Sequence, residues 1–109
     1  MNLWIDDVRP APDGYVWAKS VNEAKRKIEV AEILYKSLWM DRITDVDIII
    51  IIDIDHDAGD YAYDGGDYIK LLDWLEETGR NYPIRIHSMN PVGVENMRRI
   101  IQRNGWKEL

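Results

Sequence analysis

The chain has 109 residues, 46% hydrophobic and 31% charged, a net charge of -6, five tryptophans, six tyrosines, and neither phenylalanine nor cysteine. That length fits a single domain over residues 1–109 with a core that needs no staples, and the missing cysteines exclude disulfides, thiolate nucleophiles and cysteine-bound zinc, so any metal is held by oxygen or imidazole. The acidic balance argues against a broad grip on duplex DNA, no window offers the roughly eighteen apolar residues of a membrane span, and the opening Met1-Asn2-Leu3-Trp4-Ile5 is unlike a secretory signal, so a cytoplasmic protein is expected.

In chain order, Asn2 to Ile5 read as a short buried strand ending at Asp6-Asp7, and Val8 to Gly14, with Pro10 and Pro12, as a turn. Tyr15 to Lys19 reads as a second strand. Ser20-Val21-Asn22-Glu23 has capping-box spacing, and Val21, Ala24, Ile28, Ala31, Tyr35 and Leu38 follow at helical intervals, which predicts one helix over 21–39. A polar link, Asp41 to Asp45, leads to Val46–Ile54, whose β-branched run fits a central strand buried on both faces. Ala58 to Gly66 is small and acidic and reads as a loop, with Asp60, Asp64 and the following Asp67 as solvated acids. Asp67 to Thr78 then carries Ile69, Leu72 and Leu75 on one helical face and stops at Gly79. Pro83 to His87 is another strand. Asn90 before Pro91 supplies an N-cap and first position for a last helix that turns Met97, Ile100 and Ile101 inward and closes at Gly105.

Strands alternating with helices indicate an α/β sandwich with a largely parallel sheet. One connection breaks the pattern: about nine residues separate the first two strands, fewer than the dozen a parallel crossover normally needs. Either that pair is antiparallel or the second strand sits elsewhere.

If the strands at 2–5, 46–54 and 83–87 are parallel, three polar termini emerge on one sheet edge: Asp6-Asp7-Val8-Arg9, Asp55-His56-Asp57 and His87-Ser88-Met89-Asn90. Open α/β sheets bind ligands at that edge. Carboxylates crowded this closely repel unless a cation neutralises them, and hard ions such as Mg²⁺ or Mn²⁺ favour oxygen ligands and substrate phosphates. Both histidines of the chain, His56 and His87, fall in these termini, where imidazoles can serve as general acid and general base. Arg9, Ser88, Asn90 and the free amides opening the helix near residue 91 are candidate phosphate contacts. Asp53, inside the strand, is an extra buried acid without an assigned role.

The motifs Leu3-Trp4-Ile5-Asp6-Asp7-Val8-Arg9-Pro10, Asp55-His56-Asp57-Ala58-Gly59 and His87-Ser88-Met89-Asn90-Pro91-Val92-Gly93 resemble, in order and over essentially the whole chain, the cyclic-phosphate processing receiver domain family. The resemblance implies a receiver-like, flavodoxin-like three-layer sandwich with a mostly parallel four- or five-stranded sheet that lacks the helix after the first strand. It further implies a metal-assisted phosphoesterase acting on a cyclic phosphate carried by a nucleotide or RNA end. Asp6, Asp7, Asp55 and Asp57 would then form the acidic metal or phosphate pocket, and His56, His87, Ser88 and Asn90 the remaining active-site groups. Ala58 stands where the family more often has leucine. The alternative is a non-enzymatic signalling receiver that accepts a phosphoryl group or binds a nucleotide, but no lysine lies between Lys70 and Lys107 to serve as its active-site lysine. Asp53, Asp55 and Asp57 also have the alternate spacing of a calcium-binding EF-hand loop, yet a strand precedes them and Gly59 falls one position late. Other enzymes with an Asp-x-Asp after a parallel strand, the haloacid-dehalogenase-like and Toprim-like classes, do not use two histidines.

Overall fold

The computed structural model describes residues 1–39 and 50–109. The predicted link at 41–45, the predicted start of the central strand at 46–49 and the Leu38 side chain lie outside the described residues. Strands β1 (Asn2–Ile5), β2 (Tyr15–Ala18), β3 (Ile51–Ile54) and β4 (Ile84–Ile86) form one sheet in the order β2-β1-β3-β4, with every neighbouring pair parallel. Helices α1 (Val21–Trp39), α2 (Ile69–Glu77) and α3 (Pro91–Asn104) alternate with them, and a 3₁₀ turn at Gly59–Tyr61 interrupts the predicted loop.

The crossovers through α1 and through α2 step in the same direction across the sheet, and right-handed connections therefore put both helices on one face. There α1 packs on α2 and α2 on α3. The strand registers bring Leu3, Ile5, Ala18, Ile52, Ile54 and Ile84 to that face, all fully buried against Val21, Ala24, Ile28, Leu72, Leu75 and Met97. Trp4, Trp17, Asp53 and Arg85 point the other way, and no helix covers that face among the described residues. The receiver-like α/β fold is thus present with its helices in one layer, because the chain has no helix after β1 to reach the opposite side.

The β1–β2 pair is parallel despite its nine-residue connection, residues 6–14, so neither arrangement read from its length holds, while the missing helix after the first strand, which the family resemblance implies, accounts for the short connection. Short strands make this feasible: retracing four residues takes about 13 Å at ~3.3 Å per residue, and nine extended residues reach about 30 Å. The loop is tied down at several points. Asp6 Oδ1 accepts the N–H groups of Val8 at 3.0 Å and Arg9 at 2.9 Å. The Trp4 indole donates to the Arg9 carbonyl at 2.9 Å, and the Trp17 indole to the Asp6 carbonyl at 2.8 Å.

Both outer edges of the sheet are partly occupied. On β2, Lys27 Nζ donates to the Trp17 carbonyl and Glu23 accepts the Lys19 N–H, while Glu23 and Lys27 pair with each other at 2.8 Å. Ser20 Oγ accepts the Glu23 N–H as a cap should, so the reciprocal carboxylate of the capping box has gone to Lys19 instead of Ser20. On β4, the tail bridges Ile84 through Glu108 in the parallel sense, the beginning of a fifth strand position. No helix among the described residues is long and apolar enough to cross a membrane.

Candidate active site

Because all four strands are parallel, the ends of β1, β3 and β4 deliver their polar residues to one edge, as the motif positions required. Asp6, Asp7 and Asp55 meet there, each offering a carboxylate oxygen within 4.8 Å of the other two. Asp6 is fully buried. Burial alone would push its carboxyl up, but the amides of Arg9 and Val8 and the ring of His87 outweigh it and hold it below the usual carboxylate range. Asp7 goes the other way: burial, then the charges of Asp6 and Asp55, raise it despite the hydrogen bond from its own backbone. A pocket of three oxygens in which one member resists ionisation suits a hard divalent cation, which would relieve that repulsion. Asp57 is not part of this group. It is exposed and lies with His56 and Asp67 in a second cluster within the same distance limit.

The two histidines sit in different hydrogen-bonding environments. His56 Nδ1 is 2.8 Å from Asp57 Oδ1 and 3.5 Å from the Asn90 amide nitrogen, and its Nε2 has no protein partner among the described residues. His87 has both ring nitrogens engaged, Nδ1 with Asp53 Oδ1 at 2.7 Å and Nε2 with Asp6 Oδ2 at 3.0 Å. Trp4 stacks flat on the His87 ring, with centroids 3.9 Å apart and planes 4° apart. Of the two imidazoles, His56 alone therefore keeps a ring nitrogen without a protein partner among the described residues.

The candidate phosphate contacts are partly committed to the protein. Arg9 is exposed and spends one guanidinium nitrogen on the His87 carbonyl at 3.2 Å, which ties the β1 loop to the end of β4. Ser88 Oγ accepts the Asn90 N–H at 3.1 Å, and Asn90 Oδ1 caps α3 by accepting the Gly93 N–H at 3.0 Å. Val94 N–H goes to the Asn90 carbonyl and Pro91 has none, so the expected set of free helix-start amides reduces to that of Val92. Asp64, read as a solvated acid, instead accepts from Ser20 Oγ at 2.6 Å and Asn22 Nδ2 at 3.1 Å, pinning the loop to α1.

Four residues with a part in this geometry had no assigned role in the sequence. Gly59, with φ of 54°, lies against Asp7, where a Cβ would fall 2.3 Å from Oδ2. Gly93 lies against the His56 ring, where a Cβ would fall 2.4 Å from Cγ. Both glycines stand inside the quoted motifs, and that position was the available signal. Asp53 and Trp4 flank His87 from β3 and β1, and no local pattern marks a residue as the neighbour of a side chain 34 or 83 positions away.

A family model described as the cyclic-phosphate processing receiver domain matches residues 1–103. No curated protein and no solved structure matches the chain.

Proposed function

The chain belongs to the cyclic-phosphate processing receiver domain family, and from that premise we propose a metal-assisted phosphoesterase that opens a cyclic phosphate on a nucleotide or RNA end. The observation that carries this reading is His56: its Nδ1 is held by Asp57 and its Nε2 is unclaimed, and it follows Asp55, one of the three acids of the Asp6, Asp7 and Asp55 pocket, directly along the chain. Those three acids would hold Mg²⁺ or Mn²⁺, which when bound supplies Lewis-acid stabilisation of the charge that builds on the phosphoryl oxygens. His56 Nε2 takes the proton of the attacking water as the new oxygen–phosphorus bond forms. Asp57 fixes the ring and favours the imidazolium that results. The bond from phosphorus to one ribose oxygen breaks, and that oxygen takes its proton from solvent. Arg9, through its uncommitted nitrogens, and the Val92 N–H hold non-bridging oxygens. This scheme assigns proton transfer to one histidine where a pair was expected, since His87 has no nitrogen left to offer.

Incubation with 2′,3′-cyclic nucleotides and with RNA bearing a cyclic-phosphate end, in Mn²⁺ or Mg²⁺ and with chelator, tests it. Metal-dependent opening is expected, with turnover reduced about 10²- to 10⁴-fold in His56→Ala. Absence of turnover on all substrates, or a His56→Ala protein as active as the parent, would sink the proposal. A second reading, a receiver that accepts a phosphoryl group, draws support from half-buried Asp55 at the end of β3 beside Asp6 and Asp7. Acetyl phosphate labelling that vanishes in Asp55→Asn, without hydrolysis of cyclic phosphates, would favour that reading.

A further inference from the structure

Behind the three-acid pocket lies a fourth carboxylate that the proposed chemistry does not use. Asp53 is 3% exposed, sits inside β3, and points to the helix-free face of the sheet. A buried carboxylate is costly unless paired, and its partners lead to the site. Oδ1 is 2.7 Å from His87 Nδ1, Oδ2 is 3.5 Å from the half-exposed Arg85, and the far nitrogen of the same imidazole is 3.0 Å from Asp6 Oδ2.

We infer that Asp53 is a positioning residue which, through the His87 ring, fixes the carboxylate of Asp6 in the orientation that Asp6, Asp7 and Asp55 need to hold a divalent cation. The inference rests on the reading of those three acids as a cation pocket. Asp6 Oδ1 is already held by two backbone amides, so a second restraint on Oδ2 removes the remaining rotation of the carboxylate. The imidazole is itself immobilised by Asp53 on one edge and by the stacked Trp4 ring on one face. Asp53 lies inside β3 and Asp6 directly follows β1, the neighbour paired with it, so the link ties the start of the short connection to the sheet. Partners that orient a metal-binding side chain in this way commonly change metal affinity about 10- to 100-fold when removed.

The test is calorimetric titration of the intact protein with Mn²⁺, for the parent, Asp53→Asn, His87→Gln, the double variant and Arg85→Ala. Each of the first two single changes is expected to weaken Mn²⁺ binding roughly tenfold. The double variant is expected to bind no more weakly than either, because Asp53 acts through His87, and Arg85→Ala should bind as the parent does. An Asp53→Asn protein that binds Mn²⁺ like the parent overturns the inference, as does a double variant in which the two losses multiply. If Asp53→Asn does not fold, Asp53→Ser carries the same expectation and the same means of refutation. A parent that takes up no Mn²⁺ overturns both this inference and the cation pocket. A parent and variants that bind as expected but open no cyclic phosphate leave the inference standing and remove only the proposed reaction.

Discussion

Gly93 approaches the His56 ring so closely that Gly93→Ala would place a methyl group 2.4 Å from Cγ, and the neighbour is a short side chain held by Asp57. The ring has to turn away, and in the proposed reaction His56 is the base, whose misplacement by about 1 Å would cost on the order of 10²-fold in rate. Turnover in Gly93→Ala is therefore expected to fall about 10- to 100-fold while Mn²⁺ affinity is unchanged, which kinetics and titration on one sample would check. At Asp7 the raised pKa has a consequence for stability. A carboxyl whose folded value lies above its unfolded one destabilises the fold when ionised, a cost present at neutral pH and relieved as pH falls through the raised value. Asp7→Asn should accordingly melt higher than the parent at pH 7, with the difference shrinking in acid. Asp6 has the opposite sign: its contribution is full above the unfolded carboxylate range and is lost as pH falls through its lowered folded value. A melting temperature for Asp7→Asn at or below the parent's at neutral pH would contradict the cost assigned to ionising Asp7 by burial and by the neighbouring Asp6 and Asp55.

Among the elements, β2 is the one most exposed to error, a four-residue edge strand with a half-exposed Val16. Its outward Trp17 carbonyl and Lys19 amide are occupied by the Glu23–Lys27 pair on α1, which denies them to another chain. Lys27→Ala should lose about 0.5–1 kcal/mol in denaturant unfolding, a typical net value for one hydrogen bond, and should increase self-association in sedimentation velocity. Trp17→Phe addresses the other side of the strand, where it removes the indole N–H that fastens Asp6 at 2.8 Å and so the start of the short connection. Its expected cost is about 1 kcal/mol, together with weaker Mn²⁺ binding because Asp6 opens that loop.

For the molecule as a whole, one apolar layer between the sheet and three helices carries the fold, and Leu72 and Ile54 lie within it fully buried. Leu72→Ala leaves a cavity under the sheet and should cost about 2–5 kcal/mol, read from chemical denaturation. A polar tie also joins α1 to the connection after α2. Arg80 on the connection after α2 pairs with Glu32 of α1 at 2.9 Å, and Tyr82 donates to the same carboxylate. Glu32 would be raised by burial, but Arg80 and Tyr82 outweigh that and hold it low, so its contribution should fade only as pH falls below the usual glutamate range.

Periodicity and capping located all three helices, because Val21, Ala24 and Ile28, or Asn90, Pro91 and Gly105, act through neighbours within a turn or two. Three acid- or histidine-bearing strand ends likewise required only parallel strands to converge. What the sequence could not decide was anything settled across the sheet. The β1–β2 pairing turned on how short both strands are and on two indole hydrogen bonds. Which of the two histidines keeps a ring nitrogen free turned on Asp53 and Asp6, which take both nitrogens of His87 and are 34 and 81 positions away from it. Local chemistry is written along the chain, but the number of free nitrogens left on an imidazole is fixed only by whatever the fold brings alongside it.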